Sequence, residues 1–318
     1  MNAAQALQSA LNPIGPQSHA IDRLWWLMLW TTTAVTVVVL AFFFIALIRS
    51  RRGASPLAEP FLTSAVSGAV TLTVLILFTL LVASIWTGRA VASSGPANPS
   101  RVVSIEVIGH QWWWEIAYDD SVPANRVTLA NEIHIPAGRP IVLNVTSRDV
   151  IHSFWAPNLQ AKRDLIPGYT TSIWMQADRT GVYHGQCAEF CGRQHAHMAF
   201  DVVVQEESDY ERWLNAERGP AGEPQSRDEQ RGRDVFMAAR CSACHTIRGT
   251  DAAGLVGPDL THFASRTALG ARTRDNTGRE LANWIANPHS VKPGNQMPAN
   301  AFSPEDLSAV TAYLTSLR

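Results

Sequence analysis

Three features are scarce in this sequence of 318 residues: net charge, cysteine and, after residue 90, long apolar runs. The formal net charge is -1 and the pI is about 6.8, which excludes the strongly basic field typical of nucleic-acid binding. Only four cysteines are present, in two close pairs. Because each pair lies in a ligand or attachment pattern, we predict no disulfide. The length is enough for two or three domains.

The apolar residues are concentrated in two uncharged runs, 24–48 and 60–88. At about 1.5 Å of rise per residue, each run can cross a hydrocarbon core of about 30 Å as a helix. We predict membrane spans at about 24–48 and 62–87. Two buried helices of a soluble core are the alternative, and the lengths argue against it. A secretory signal fits poorly, because the first run is too long and no basic segment precedes it.

The short connection between the two runs carries arginines at 49, 51 and 52. Arginine is enriched in cytoplasmic loops, so this loop is expected inside and both ends of the hairpin outside. Tryptophans, which favour membrane interfaces, lie near those outer ends at positions 25, 26, 30 and 86. We therefore predict a two-helix anchor, residues 1–91, in a bacterial-type inner (cell) membrane, with everything later on the periplasmic side.

A stretch rich in Ser, Gly, Pro and Asn at 92–100 precedes a region with the features of a β domain. Residues 101–206 contain short β-type segments separated by Pro- and Gly-containing turns. The strongest segments are Val102–Val107, Trp112–Trp114, Ile133–Ile135, Ile141–Val145 and Phe200–Val204. Several short strands in about a hundred residues predict a sandwich or barrel. We place this domain at 92–216.

Residues 187–198, CAEFCGRQHAHM, contain a dense set of soft metal ligands. Two thiols, an imidazole and a thioether suit a copper electron-transfer site, and His152 upstream offers a second imidazole. Two cysteines can bridge two metals. Zinc held by two Cys and two His is the alternative, but it has no use for Met198. His184 and His197 are left out, since His197 in extended backbone faces away from His195.

Three segments carry a family resemblance: GHQWWWE at 109–115, DVIHSFWAP at 149–157 and GQCAEFCGRQH at 185–195. They closely resemble cytochrome c oxidase subunit II, and the resemblance covers the hairpin and the β domain in the same order. It implies a cupredoxin-like β sandwich holding the dinuclear copper centre CuA. In that family the coppers are bridged by two cysteines and bound by two histidines, a weak methionine and a backbone carbonyl. The matching residues are Cys187, Cys191, His152, His195, Met198 and Glu189.

The same resemblance implies three further roles. Trp112 matches the tryptophan through which electrons enter, and the Glu189 carboxylate matches a ligand of a magnesium ion shared with the catalytic subunit. Glu59 matches a glutamate at the mouth of a proton-uptake channel, although the family's following Trp and Pro are replaced here by Leu62 and Val66. A charge at an interfacial helix end is the other interpretation of Glu59.

The C-terminal part carries CSACH at 241–245, the attachment pattern of a c-type heme. Cys241 and Cys244 would bond the heme, His245 would bind iron, and Met297 would be the second axial ligand. Met297 is the only methionine after Met237. His262 and His289 are the alternatives to it. This part resembles an all-α class I cytochrome c, fused as in caa-type oxidases.

We place a linker at 217–227 and the heme domain at 228–318, with three helices around the heme. Capping patterns at Thr277 and Ser303 open two of these helices, and one at Ser208 opens a helix before the linker. Leu307, Val310, Leu314 and Leu317 form one face of the last helix, which we expect to cover the heme.

Together the resemblances imply the electron-input subunit of a proton-pumping terminal oxidase. Electrons would pass from a quinol–cytochrome c reductase or soluble cytochrome c to heme c, to CuA and to catalytic subunit I, which reduces oxygen to water; subunit III is a further expected partner. The alternative is the corresponding subunit of a CuA-bearing nitric oxide reductase. A metal-free subunit, as in quinol oxidases, is disfavoured by the intact ligand set. Nitrous oxide reductase is disfavoured because its CuA domain follows a large propeller.

Overall fold

The computed structural model describes residues 8–53, 55, 58–93 and 102–318. The chain divides into two compact units, one of residues 17–95 and one of residues 1–16 and 96–318. Most of the predicted separating stretch, from residue 94 to residue 100, lies outside the described residues. The two units are considered separately.

The first unit is a pair of long helices, α1 (Pro16–Arg51) and α2 (Glu59–Ser93). Both are long and apolar enough to cross a membrane. They extend beyond the predicted spans, because backbone hydrogen bonding continues past the last apolar residue while the prediction ended at charged residues. Large side chains such as Phe42 and Phe78 are more than 60% exposed. Such exposure is favourable in an apolar solvent such as the hydrocarbon of a membrane.

Hydroxyl groups inside these helices are bonded to the helix itself. Thr36 donates to the carbonyl of Thr32 at 2.8 Å, and Thr73 donates to that of Ala69 at 2.9 Å. Ser64, Thr79 and Ser84 make the same bond to the residue four positions earlier. Such bonds satisfy the hydroxyl donor locally, which reduces the cost of placing it in hydrocarbon.

The second unit begins with a sandwich of two five-stranded sheets. One sheet has the order β3-β2-β1-β5-β8 and the other β4-β10-β9-β6-β7. The strands are β1 (Val103–His110), β2 (Trp113–Tyr118), β3 (Val127–Ala130), β4 (Glu132–Pro136), β5 (Ile141–Ser147), β6 (His152–Trp155), β7 (Arg163–Leu165), β8 (Thr171–Met175), β9 (Gly181–Cys187) and β10 (Ala199–Gln205). All pairs are antiparallel except β1 with β5 and β4 with β10.

Side-chain alternation explains why these segments form a sandwich. Every second residue of β5, beginning with Ile141, is buried, and the residues between them are partly exposed. Trp114 is fully buried, with Phe154 and Phe200 at ring distances of 6.0 and 5.3 Å. The core between the sheets is thus aromatic on the side where β6, β9 and β10 lie together.

Residues before α1 belong to the sandwich rather than to the hairpin. Ile14 is buried and exchanges backbone hydrogen bonds with two sandwich loops, from its N–H to the Asn158 carbonyl and from the Asp178 N–H to its own carbonyl. Gly15 lies so close to Gln176 that a Cβ there would be 2.2 Å from the carbonyl oxygen. The predicted anchor segment therefore contains, at residues 8–16, a strip that packs on the β domain.

The rest of the unit is mainly helical: α3 (Glu207–Glu217), α4 (Arg227–Ala238), α5 (Gly278–Ala286), α6 (Pro288–Val291) and α7 (Pro304–Ser316), with a small pair of strands, β11 (Ala268–Leu269) and β12 (Arg274–Asp275). The predicted caps Thr277 and Ser303 are confirmed, because each accepts the backbone N–H three residues on. The prediction for Ser208 is wrong: α3 begins at Glu207, and Glu206 supplies no side-chain cap.

The connection from α3 to α4 lies against the helical domain. The Ala221 N–H donates to the Arg248 carbonyl at 2.9 Å, and His262 Nε2 lies 3.2 Å from the Gly219 carbonyl. A capping box of Ser226 and Glu229 then opens α4. The segment predicted as a linker is thus a short connection that is hydrogen-bonded to the helical domain.

Helices α4 and α7 cross closely at Gly232. A Cβ added at Gly232 would lie 2.0 Å from the Ala309 carbonyl oxygen, so we expect Gly232→Ala to force the helices apart. The expected loss is about 1–3 kcal/mol in the free energy of unfolding of the helical domain. Denaturant unfolding of the full chain measures it. Gly222→Ala is the control, because no atom lies within 4 Å of that position; equal effects of the two changes would contradict the close crossing.

Candidate functional site

The predicted soft ligands converge at one end of the sandwich. His152 is the first residue of β6, Cys187 is the last of β9, and the remaining ligands lie in the loop to β10. The two sulfurs of Cys187 and Cys191 are 3.8 Å apart. His152 Nδ1 is 3.9 Å from the Cys187 sulfur, and His195 Nδ1 is 3.6 Å from the Cys191 sulfur.

Met198 and Glu189 complete the cluster from opposite ends of the loop. The Met198 sulfur is buried and lies 3.8 Å from the Cys191 sulfur. The Cys187 sulfur lies 3.1 Å from the backbone carbonyl oxygen of Glu189, whereas the Glu189 side chain is exposed. The six predicted residues are therefore brought together, with one carboxylate directed outward from the cluster.

The loop is held in shape by backbone constraints. The Cys187 N–H donates to the Met198 carbonyl at 2.9 Å, which closes the loop at the base of the strand pair. Gly192 has a φ of +110°, and a Cβ there would lie 3.3 Å from the Trp112 ring. Only glycine combines that backbone conformation with that close approach.

The two remaining histidines of this region lie outside the cluster. Residues 195–197 form a 3-10 turn rather than extended backbone, so the predicted reason for excluding His197 is wrong. His197 Nδ1 instead lies 2.8 Å from Gln194 Oε1. His184 is engaged by Asp201 and by Arg272.

Asp149 orients His152. Its Oδ1 lies 2.8 Å from His152 Nε2, so the Nδ1 atom of the ring faces the thiols. Burial opposes protonation of His152, but hydrogen bonds with Cys187 and Asp149 raise its pKa above the ordinary value. Gly109 leaves room for the ring, since a Cβ there would be 2.6 Å from His152 Cδ2.

The two thiols share one hydrogen bond and differ in acidity. That bond, with Cys191 as partner, lowers the pKa of Cys187 to about 3 and raises the pKa of Cys191 above its usual range. Two buried sulfurs that together carry one negative charge are suitable ligands for a metal cation. The buried Met198 thioether adds a soft donor that a tetrahedral zinc site does not need, so the donor set fits copper better than zinc.

Trp112 connects the copper-type cluster to the surface of the sandwich. It lies in the turn between β1 and β2, so the predicted strand over 112–114 is wrong for its first residue. Its indole N–H donates to the Cys191 carbonyl at 2.9 Å. The Gln111 side chain donates to the same carbonyl at 2.8 Å. One face of the cluster is thereby bonded directly to the tryptophan.

A second site lies in the helical domain, where the predicted heme ligands line one cavity. Its walls include Cys241, Cys244, His245 and Met297, with Leu281, Ile285 and Leu314 among the apolar residues. His262 and His289, the alternatives to Met297, are not among the described residues of the wall. The prediction that the last helix covers this site agrees with the position of Leu314.

His245 is fixed for ligation. Its Nδ1 lies 2.7 Å from the Pro258 carbonyl, so Nε2 is the nitrogen left for a metal. Burial lowers the pKa of His245, which favours the neutral imidazole that binds iron. A Cβ on Gly257 would be 2.6 Å from the ring, so glycine is needed there.

The same cavity is walled on one side by the β sandwich. His110, Gln111, Trp112 and Trp113 all line it, and Trp113 stacks on His110 at a ring distance of 4.3 Å. The heme-type cavity therefore opens onto the tryptophan that is bonded to Cys191.

Sequence reasoning missed three residues of this region: Asp149, Gln111 and Lys292. Asp149 and Gln111 stand inside the segments that carried the resemblance, so polar residues next to predicted ligands were the available signal. Lys292 is buried between the two sites, and a single lysine in a loop gives no comparable signal.

Two family models match the chain. The model "Cytochrome C oxidase subunit II, periplasmic domain" matches residues 124–206, and the model "Cytochrome c" matches residues 229–318. The matches follow the sandwich and the helical domain in that order. Together with the two apolar helices, they confirm the predicted fold class.

Curated relatives match along most of the chain. Cytochrome c oxidase subunit 2 of Alkalihalophilus pseudofirmus is 36% identical over 248 residues, covering 77% of this chain and 70% of the relative. Cytochrome c oxidase subunit 2 of Bacillus sp. (strain PS3) is 28% identical, with 71% and 65% covered. Among solved structures, the periplasmic domain of subunit II of cytochrome oxidase of Bradyrhizobium japonicum is 31% identical over 36% of this chain and 93% of that one, with a TM-score of 0.35.

Removing the Asp149 carboxylate is expected to weaken copper binding. In Asp149→Ala the ring of His152 loses the partner that fixes its orientation, and we expect a loss of about 10–100-fold in affinity. Competition with a copper chelator measures it on the full chain. Asp164→Ala is the control, because that carboxylate is exposed on the neighbouring strand β7. An unchanged affinity in Asp149→Ala would contradict the orienting role.

Proposed function

Because the chain belongs to the cytochrome c oxidase subunit 2 family, we propose that it is the electron-input subunit of a membrane-bound, proton-pumping terminal oxidase. Members of this family are components of heme-copper oxidase complexes, and the family domains imply copper CuA in the sandwich and heme in the helical domain. One observation carries the proposal: the cavity lined by Cys241, His245 and Met297 opens onto Trp112. Trp112 is in turn bonded to Cys191.

For the copper centre, the proposed bridging ligands are Cys187 and Cys191. His152 and His195 lie beside different sulfurs of the pair, which supports both imidazoles as copper ligands. Met198 and the Glu189 carbonyl approach different cysteines in the same way, as a weak ligand pair would. Cys187, Cys191, His152 and Met198 are buried, whereas His195 is half-buried and Glu189 is exposed, so most of the donor set is shielded from water.

For the heme, the proposed covalent attachment is through Cys241 and Cys244, with His245 and Met297 as axial ligands. A 3-10 turn at Cys241–Ala243 places the two thiols at the cavity wall together with the histidine. A His/Met pair raises the reduction potential, which suits a donor to an oxidase. When bound, the two groups would supply one-electron transfer, and the chain's task is to hold them at a constant spacing.

Trp112 is the residue proposed to couple the two sites. Its carbonyl and its indole N–H face different partners, Lys292 and the Cys191 carbonyl, so both ends of the residue are held. A rigid aromatic group between the heme cavity and a copper ligand reduces the reorganisation that accompanies transfer.

The proposed domains are the membrane anchor at 1–91, of which residues 8–16 pack on the sandwich, the copper domain at 92–216, the linker at 217–227 and the heme domain at 228–318. We place the anchor in a bacterial-type cell membrane, with the copper and heme domains on the outer side. Catalytic subunit I receives the electrons, and subunit III and an external cytochrome or reductase are the further partners.

Two carboxylates are proposed to act toward the catalytic subunit. Glu189 is exposed beside the cluster, as a ligand of a magnesium ion shared across an interface would be. Glu59 is the first residue of α2 and is exposed, as a group at the mouth of a proton channel would be. Proton uptake by the assembled oxidase, compared between Glu59→Gln and the native chain, distinguishes this role from that of a helix-end charge.

The first test is spectroscopic. The full chain, purified after production with copper and the heme-maturation machinery, is expected to show a c-type α band and a near-infrared CuA band. Cys191→Ser should abolish the near-infrared band and keep the α band, because only one of the two bridging sulfurs remains. An α band without any copper band in the native chain, even after copper reconstitution, would reduce the protein to a membrane-tethered cytochrome c.

The second test concerns Trp112. In Trp112→Phe the hydrogen bond to Cys191 is lost while the ring position is kept, so heme-to-copper electron transfer should slow by about tenfold or more. Transient absorption after photoreduction of the heme measures the rate. Trp113→Phe is the matched control, since Trp113 lines the same cavity but stacks on His110. Equal rates in both variants and the native chain would remove Trp112 from the path.

A further inference from the structure

Lysine is used sparingly in this chain: two lysines, Lys162 and Lys292, stand against 24 arginines. Lys162 is exposed, with its amine 4.9 Å from the centre of the Trp155 ring. Lys292 is only 2% exposed, in the segment between α6 and Met297. Among the residues that the structure describes, no carboxylate pairs with Lys292, so a lysine buried there needs a specific explanation.

The amine of Lys292 is bound by three backbone carbonyls. Its Nζ donates to the carbonyls of Trp112 at 2.6 Å, His197 at 2.7 Å and Gly270 at 2.9 Å. These three contacts use all three N–H groups of an ammonium ion. Burial lowers the pKa of Lys292 to about 7, and the charge of Cys191 opposes that shift. Hydrogen bonds to the three carbonyl oxygens favour the charged form of the amine.

The three carbonyls come from both domains. Trp112 and His197 belong to the sandwich, one beside the heme cavity and the other in the copper-type loop, whereas Gly270 belongs to the heme domain. A compact ammonium suits three converging oxygens, whereas the planar guanidinium of arginine does not. This explains a lysine here in a chain that otherwise uses arginine.

The neighbours of Lys292 continue the same contact. Gln194 of the copper-type loop donates to the Pro293 carbonyl at 2.8 Å. Gly294 packs on the Trp112 ring, since a Cβ there would be in ordinary van der Waals contact with it at 3.6 Å. The segment that carries Met297 therefore packs directly against Trp112.

The loop at 270–272 supports the arrangement from the other side. Gly270, Ala271 and Arg272 all have φ between +54° and +64°, a conformation disfavoured for residues with side chains. The loop is held against β10, because the Ala199 N–H donates to the Ala271 carbonyl at 3.3 Å and Arg272 pairs with the buried Asp201. Its first carbonyl is the one that binds Lys292.

We propose that Lys292 is a positioning residue for electron transfer: its amine locks the heme domain onto the sandwich and sets the spacing between the heme cavity, Trp112 and the copper cluster. The inference rests on the proposed function for the transfer step. The docking contact itself rests only on the residues described above.

Chemical labelling tests the docking contact without any electron-transfer measurement. The full chain, loaded with heme and copper in detergent, is treated with an amine-acetylating reagent, and the two lysine peptides are followed by mass spectrometry. Lys162 should react freely, while Lys292 should react at least about tenfold more slowly, because reaction requires the domains to separate. Equal labelling rates would overturn the docked arrangement.

The transfer rate tests the positioning role. Lys292→Met removes the charge, and Lys292→Arg keeps the charge on a planar guanidinium that does not fit the three carbonyl oxygens. Both variants should therefore slow heme-to-copper transfer by about tenfold or more. Both should retain the c-type and near-infrared bands, and Lys162→Met should transfer at the native rate. A native rate in either Lys292 variant that retains both bands would overturn the proposal. If a variant loses a band, the labelling of the native chain still decides whether Lys292 locks the domains.

The two possible failures are distinct. A native chain without the copper band would refute the proposed function and leave the labelling result intact. A native chain with both bands, fast transfer and freely acetylated Lys292 would refute only the lock.

Discussion

The pairing of β9 with β10 is the constraint on which the metal cluster depends. This pairing joins the two ends of the eleven-residue loop between the strands, because the Cys187 N–H bonds to the Met198 carbonyl at the base of the loop. The second constraint is the pairing of β6 with β9, which brings His152 of one strand to Cys187 of the next. The two strand pairs thus bring four ligands of one loop and a distant imidazole together.

The helical domain depends on the same sandwich for part of its own site. The wall of the heme-type cavity is completed by residues of the β1–β2 turn, so neither domain alone encloses it. Polar contacts join the two domains: Arg272 pairs with Asp201, and Thr267 bonds to Glu132 through both its N–H and its hydroxyl. Directional polar contacts of this kind favour one arrangement over a range of orientations.

The features predicted from sequence were those encoded locally. The spacing of Cys187, Cys191, His195 and Met198, the CSACH pattern, the caps at Thr277 and Ser303, and the two apolar runs all depend on neighbouring residues. Strands with exposed or mixed side chains, such as β7 and β8, gave no alternation and were not foreseen. Lys292 could not be found in this way, because its burial depends on carbonyls contributed by residues 180, 95 and 22 positions away.

The cavity wall formed by Trp112 and Trp113 has a kinetic consequence for any external donor. The Gly294 segment lies against the half-buried ring of Trp112, so an external donor and the helical domain compete for the same tryptophan. In the proposed function the copper side is served by the donor domain fused to it, and its reduction becomes a first-order event. Since the covering contacts are largely removed from solvent, that event should be insensitive to ionic strength, whereas delivery of electrons to the outer face of the helical domain keeps the salt dependence of an ordinary encounter between proteins.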